Sequence, residues 1–376
     1  MKDKIISFML TSIILVMLGV IGYIGYSVYS EITAEGTIEI HFEGDTGFPT
    51  IEYIPSINTD ITFDPNMFSG VEGNNHNNTN TTNSINPTQS RSLYQQLDKT
   101  AKIFYNQLYE NKENLKTGTY KIDFGNAFQT LLSEEGGDEE LKKQYQSAIE
   151  ALVYENPDIF YLDVTKMYIN IEKITKITGT KYNVYIDNGS DYSYLSEGFY
   201  TKEDIEQYEA QIEQVKNHIV SSVEGNTDYQ KIKAIHNYLI DTIEYEEDLT
   251  QNNIYDIYGA LVKKRCVCEG YAKAFQYLMN EVGIENSIII GKGTNSKNKT
   301  ENHAWNYVKL DGDWYAVDVT WDDPIITGGG SLTNKSRYKY FLKGSNTMNE
   351  NHYPSGKFTQ SGQEFKYPVL SVEDYK

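Results

Sequence analysis

The sequence predicts an α+β fold in which amphipathic helices precede an antiparallel sheet. Apolar residues recur at three- and four-residue spacing over 93–152 and again over 201–282, as on the buried face of a helix. After Gly283, short segments rich in β-formers follow one another, and Asp311-Gly312 between two of them is typical of a two-residue hairpin turn. At 376 residues, the chain is long enough for two domains of ordinary size.

Composition narrows the class of protein. Lys plus Arg is 33 and Asp plus Glu is 53, which gives a net charge of −20 and argues against a nucleic-acid partner. The hydrophobic content of 39% is not that of a disordered chain. The 2 cysteines, Cys266 and Cys268, are too few for a disulfide framework or a four-thiolate zinc site.

Residues 1–30 are predicted to be a membrane anchor. No charged residue occurs from Ile5 to Ser30, a stretch long enough to cross a hydrocarbon core of about 30 Å. Lys2 and Lys4 precede it, so the positive-inside rule predicts a single-pass cell-membrane protein whose C-terminal domain is extracytoplasmic. A cleaved signal peptide and a buried core helix are the alternatives.

Residues 31–92 are predicted to be an extracytoplasmic, Asn-rich linker. Thr37–Phe42 and Ile51–Ile54 alternate in a way that indicates short strands. Asn74–Asn86 is a polar tract without apolar periodicity, which predicts a disordered spacer.

Residues 93–200 are predicted to be a helical and mixed accessory region. The apolar spacing predicts helices over 93–108 and 141–152, and enrichment in Tyr, Val and Ile predicts strands over 160–169 and 182–186. This region could complete the core, cover the active-site cleft as a pro-segment, or bind a partner.

Residues 201–376 are predicted to be the catalytic domain. Thr201 is expected to cap one helix, a second begins near Asp228, and a third begins near Cys268 and stops at Gly283. The strands that follow are predicted over 287–291, 303–310 and 313–320.

The predicted start of the third helix places the Cys268 thiol at a helix N-terminus. A thiol at a helix N-terminus faces the positive end of the macrodipole and free backbone N–H groups, which favour the nucleophilic thiolate and could also bind an oxyanion. Cys266 lies in the approach loop and is expected to be a packing residue.

The predicted hairpin brings together a base and a carboxylate. A turn at Asp311-Gly312 pairs Trp305 with Asp318 and His303 with Thr320, so these four side chains are expected to share one face. His303 and Asp318 are then diagonal neighbours about 7 to 8 Å apart, which two such side chains can bridge. With Cys268, they form a credible nucleophile, base and orienting carboxylate.

Three segments resemble the transglutaminase-like domain of many bacterial surface proteins, namely CVCEGYAKAFQYLMNEVGI, NHAWNYVKLDGDWYAVDVTWDDP and YFLKGSNTMNENHY. The resemblance covers roughly 150–355 and implies a papain-like fold with a Cys–His–Asp triad. Position by position, it implies Cys268 as nucleophile, His303 as base and Asp318 as the third member. For the oxyanion donor, Tyr258 and Tyr245 are both candidates.

The function predicted from the residues and the resemblance is cell-surface, thiol-dependent acyl transfer on protein or peptide amides through a Cys thioester. Whether the acyl group passes to an amine or to water is left open, and cell-wall peptide is one candidate substrate. No cofactor and no metal are expected. The rival classes are a zinc site built from Cys266, Cys268, His303 and Asp318, and a non-enzymatic surface module that retains the fold.

Overall fold

In this computed structural model the described residues are 35–41, 92–176, 179–295, 298–323 and 334–376. The predicted membrane anchor, the predicted strand at Ile51–Ile54 and the Asn-rich spacer all lie outside them. Among the described helices, none combines the length and the apolar character that a bilayer crossing needs.

Helices predicted in the accessory region are confirmed. The helix predicted over 93–108 corresponds to two short helices, which bury Ala101, Phe104 and Leu108. The helix predicted over 141–152 lies within one long helix, which buries Leu141 and Leu152. The helices are α1 (Ser92–Gln96), α2 (Lys99–Glu110), α3 (Lys112–Leu115), α4 (Gln129–Leu132) and α5 (Gly137–Glu155).

One antiparallel sheet belongs to this part of the chain. Its strands are β1 (Glu35–His41), β2 (Ile122–Gly125), β3 (Tyr168–Lys176) and β4 (Gly179–Asp187), in the order β1-β3-β4-β2. The predicted strands at Thr37–Phe42 and 182–186 are thus confirmed. The predicted strand over 160–169 is wrong for the residues before Tyr168, where β3 begins, because the Asp163 carboxylate accepts a hydrogen bond from Thr165 N (3.1 Å) and starts a short 3₁₀ turn, Val164–Lys166.

The helices predicted in the C-terminal part are also confirmed. Thr201 caps the first by accepting from Asp204 N at 3.1 Å, and the second begins at Asp228 after a capping box. Gly283, with φ of 76°, follows the third. These elements are α6 (Lys202–Ser222), α7 (Asp228–Thr242), β5 (Glu244–Tyr245), a π-helical turn (Gly259–Lys263), β6 (Arg265–Cys266) and α8 (Cys268–Glu281).

The second antiparallel sheet has the order β10-β7-β8-β9. The predicted hairpin is confirmed near its turn, where Asp311 and Gly312 both have positive φ and Leu310 pairs with Asp313. The remaining elements are β7 (Asn286–Thr294), β8 (Thr300–Leu310), β9 (Asp313–Val317), α9 (Asn334–Arg337), α10 (Ser345–Met348) and β10 (His352–Pro354).

Farther from the turn, the predicted register is wrong. The β8–β9 pairing ends at Asn306 with Val317, so the expected pairs of Trp305 with Asp318 and of His303 with Thr320 do not form. The chain leaves the ladder because Asp318 accepts hydrogen bonds from Trp321 N through its carboxylate (3.1 Å) and from Asp322 N through its carbonyl (3.2 Å). These bonds fold the residues after Val317 into a turn.

One hydrophobic core connects the accessory region with the C-terminal part. It contains Phe104 and Leu152 from the former and Phe275 and Val308 from the latter, all fully buried. Helix α8 is fixed to β8 by the Asn306 Nδ2 bond to Ala272 O (3.0 Å). The predicted division of the chain at residue 200 stays a prediction.

Candidate active site

Cys268 is the first residue of α8, as predicted. Val267 precedes it as the N-cap and has no side chain that could cap the helix, while its own N–H donates to Ile254 O at 2.9 Å. The thiol is therefore presented at the positive end of the helix.

His303 and Asp318 come into direct contact despite the altered register. His303 Nε2 lies 2.6 Å from Asp318 Oδ2, and the Cys268 thiol is close enough to the same imidazole to help raise its pKa. Since Nε2 faces the carboxylate, Nδ1 is the nitrogen left for the thiol. The relative exposures of Cys268, His303 and Asp318 are 3%, 4% and 0%, so the three groups interact away from bulk water.

The surroundings favour a charged His303–Asp318 pair. Burial alone would lower the pKa of His303, but the charge and hydrogen bond of Asp318, followed by the contact with Cys268, raise it to about 10. Burial would likewise raise the pKa of Asp318, but His303 and then His352 hold it well below its usual range. The geometry thus supports an imidazolium beside a carboxylate.

A second histidine shares the same carboxylate. His352 Nε2 lies 3.0 Å from Asp318 Oδ2, and burial lowers the pKa of His352 more than its Asp318 hydrogen bond raises it. His352 is therefore a neutral donor. Together with Trp321 N, which donates to Oδ1 at 3.1 Å, it fixes both oxygens of Asp318.

Glycines on β7 make room for this arrangement. His303 pairs with Gly291 on one side of β7 and His352 pairs with Gly293 on the other, so both imidazoles project from the same face with no side chain between them. A Cβ at Gly293 would lie 2.7 Å from the Trp321 ring, which stacks on His303 with centroids 4.6 Å apart. The stacking limits the rotation of the imidazole.

Cys266 lies beneath the first turn of α8. Its Sγ would be 2.9 Å from a Cβ at Gly270, and burial, followed by the charge of Cys268, raises its pKa well above the usual range. This placement agrees with a packing role. The four candidate zinc ligands do not come together. Among the described residues, the group whose potential ligand atoms lie within 4.8 Å of one another consists of His303, Asp318 and His352, and it includes neither cysteine.

The two candidate oxyanion donors are placed differently. Tyr245 pairs with Cys266 across β5 and β6, and burial followed by the charge of Cys268 raises its pKa, so its hydroxyl stays protonated. Tyr258 instead packs on Tyr208, with ring centroids 4.4 Å apart. Of the two, Tyr245 is the one that the structure relates to Cys268.

Comparison with protein families gives a match over residues 214–319, to the transglutaminase-like superfamily. The chain carries a transglutaminase-like domain. The matched residues include Cys268, His303 and Asp318. Transglutaminase-like proteins are often cysteine enzymes.

Two curated proteins resemble part of the chain. Kyphoscoliosis peptidase of Mus musculus is 27% identical over 154 residues, which are 38% of this chain and 23% of that protein. The Homo sapiens kyphoscoliosis peptidase is 26% identical over 148 residues, which are 36% of this chain and 22% of that protein. The chain therefore spans less than a quarter of the length of these relatives.

Solved structures also show partial similarity. A crystal structure of a TGase has a TM-score of 0.29 and 17% identity, covering 46% of this chain and 48% of that one. The periplasmic domain of TgpA from Pseudomonas aeruginosa has a TM-score of 0.24 and 11% identity, and the similarity covers 41% of this chain and 69% of that one. Scores of this size do not establish a common overall fold.

His352 is the residue at the transglutaminase-like site that sequence reasoning missed. It lies within the segment YFLKGSNTMNENHY, which resembles the family but contains none of the predicted site residues, and outside the matched residues 214–319. Its approach to Asp318 depends on the pairing of β10 with β7, between residues about 60 positions apart. No local pattern encodes that pairing.

Replacing His352 with alanine is expected to lower kcat/KM at the candidate site about ten- to hundredfold, because a hydrogen bond to a charged group contributes about 1.5–3 kcal/mol. The loss should fall on kcat rather than KM, since His352 acts through Asp318. Steady-state kinetics on an amide substrate would measure it. His352→Gln, which keeps a donor, should recover part of the rate, and His218→Ala, on the exposed side of α6, should not change it. Equal rates for His352→Ala and wild type would contradict this positioning role.

Proposed function

We propose that this chain is a cell-surface cysteine enzyme that transfers the acyl group of protein or peptide amides through a thioester on Cys268. The observation that carries the proposal is the placement of His303 between the Cys268 thiol and the Asp318 carboxylate, with 2.6 Å between Nε2 and Oδ2. The match of residues 214–319 to the transglutaminase-like superfamily supports the same class of chemistry.

In the first half of the reaction, Cys268 passes its thiol proton to Nδ1 of His303, and Sγ then forms a bond to the carbonyl carbon of the amide, whose π electrons move onto the oxygen. The C–N bond breaks as the tetrahedral intermediate collapses, and His303 donates the proton on Nδ1 to the departing amine. Asp318 stays hydrogen-bonded to Nε2 throughout and stabilises the imidazolium until its Nδ1 proton passes to the amine, which agrees with the raised pKa of His303. The product of this half is a thioester on Cys268 and a free amine.

The oxyanion of the intermediate needs hydrogen-bond donors near the thiol. The N-terminus of α8 offers backbone N–H groups at the positive end of its dipole. Tyr245 is the proposed side-chain donor, because its hydroxyl is kept protonated by burial and by its proximity to Cys268.

In the second half, a nucleophile attacks the thioester carbonyl carbon, His303 accepts its proton at Nδ1, and the C–S bond breaks to return Cys268 as the thiolate. An amine as nucleophile makes the protein a cross-linking transglutaminase, and water makes it a peptidase or amidase. The arrangement of Cys268, His303 and Asp318 serves both reactions equally.

The proposed location comes from the uncharged stretch between Ile5 and Ser30, which would anchor the chain with its catalytic part outside the cell. An anchored enzyme of this kind would reach cell-surface protein or the peptide stems of the wall. These are therefore the proposed substrates.

The test is to incubate the 376-residue chain with a glutamine-containing acceptor protein, with and without a fluorescent primary amine, and to follow products by mass spectrometry. Thiol-alkylated enzyme is the blank. A transglutaminase is expected to incorporate the amine into the acceptor protein. A hydrolase is expected to produce new peptide termini or deamidation without incorporation. If treated and untreated protein are alike on several amide substrates, the enzyme proposal is wrong and a surface-binding module replaces it.

A further inference from the structure

A cavity of about 610 Å³ lies beside the first turn of α8. Glu269, the residue after Cys268, lines it, and so does Tyr255, whose pKa is raised by burial and then by the charges of Glu269 and Cys268. The cavity therefore reaches the residue that directly follows the thiol in the first turn of α8. Residues of the accessory region also line it, including Phe160, Leu162 and Asp163.

The lining combines negative charge with apolar surface. Its charged residues are four acids, Asp163, Glu197, Asp256 and Glu269, and a single lysine, Lys273. Phe160, Leu162 and Leu249 contribute the apolar part. A pocket with this lining suits a cation carried on an alkyl stem, because the stem is desolvated by apolar contact while the charge meets carboxylates.

Two of the acids already have local partners. Asp163 accepts from Thr165 N and pairs with Lys166 Nζ at 2.9 Å, and Asp256 accepts from Gly259 N at 2.8 Å. Their oxygens are committed to holding the backbone of the cavity wall. Asp163 and Asp256 therefore add to the negative potential of the cavity, but they are not expected to bind the cation directly.

Glu269 is different, because one of its carboxylate oxygens is unused. Lys273 Nζ lies 2.6 Å from Oε1, whereas Oε2 has no hydrogen-bond partner among the described residues. The residue is 1% exposed, so this oxygen is removed from bulk water as well. A buried carboxylate oxygen without a donor is costly and indicates a ligand that supplies one.

We infer that this cavity is a specificity subsite for a cationic, lysine-like side chain of the peptide substrate, bound by Glu269 next to the carbonyl that Cys268 attacks. The inference rests on the proposed function, because the subsite is described as part of an enzyme that attacks amides. The binding of a lysine side chain to the cavity can nevertheless be measured without that reaction. It also gives the accessory region a role, since that region supplies part of the lining of the same cavity.

Binding is measured separately from catalysis by using the full chain with Cys268→Ala, which cannot form a thioester. The probes are acetyl-Lys-Gln-Gly-amide and acetyl-Gln-Lys-Gly-amide, each compared by calorimetry with its norleucine isostere. At least one lysine peptide is expected to bind about tenfold more tightly than its isostere, because norleucine has the alkyl stem without the ammonium.

Adding Glu269→Gln is expected to reduce the preference for lysine to less than about threefold. Glu281→Gln, at the other end of α8 and outside the cavity, is the matched control and should keep the preference. Equal binding of lysine and norleucine peptides in the Cys268→Ala protein would overturn the inference, whether or not the Glu269 variant folds. So would a lysine preference that a folded Glu269→Gln variant retains. A lysine preference in a protein that turns over no amide would instead leave the subsite standing and remove the proposed reaction.

Discussion

Cys268→Ala is expected to remove amine incorporation and amide cleavage completely, a loss of at least about 10³-fold. The variant lacks the only atom in the proposed mechanism that can form the thioester, and neither His303 nor Asp318 can replace it. Mass spectrometry of products measures the loss. Intact wild-type protein trapped during turnover should also carry the mass of the acyl group on Cys268, and the variant should not.

Cys266→Ala is the matched control for this prediction. The two cysteines are separated by one residue, but Cys266 is fully buried beneath Gly270 and its raised pKa keeps it a neutral thiol. Its removal should cost about 1 kcal/mol of stability and leave the rate within about twofold of wild type. A loss of activity equal to that of Cys268→Ala would mean that the nucleophile is assigned to the wrong cysteine.

The sequence was sufficient to select the three central residues of the candidate site, but not all of their geometry. Cys268 could be selected because the helical periodicity predicts where α8 begins, and Cys268 is its first residue. His303 and Asp318 were selected through a hairpin register that in fact ends at Val317. They still meet because Asp318 is the first residue beyond the ladder, where the turn directs its side chain back toward His303.

What could not be predicted depends on contacts between distant parts of the chain. The position of His352 requires β10 to pair with β7, and the cavity beside Glu269 requires Asp163 to approach α8. Periodicity describes one element at a time and does not say which elements are neighbours. The strand expected over 160–169 failed for a local reason, since Asp163 caps a turn within it.

Removing residues 1–195 is expected to abolish cooperative folding of the remainder. The removed helix α5 packs against the C-terminal segment, where the rings of Tyr154 and Phe358 are 4.9 Å apart and Gln363 N donates to Ser147 Oγ at 2.9 Å. The Glu150 carboxylate also accepts from Thr359 Oγ1. Each large apolar side chain newly exposed costs about 1.5–3 kcal/mol, so a few of them exceed a typical stability of about 5–15 kcal/mol.

Urea unfolding followed by circular dichroism, together with size-exclusion chromatography, distinguishes the possible roles of the accessory region. Removing only residues 1–34, which leaves β1 and α1 through α5 in place, is the control and should preserve a cooperative transition. A truncated protein lacking 1–195 that stays monomeric and unfolds cooperatively would show that the region does not complete the core. In that case a gain in activity would identify it as a pro-segment over the cleft, and unchanged activity would favour a partner-binding module, because the wall containing Asp163 would then be dispensable for the reaction.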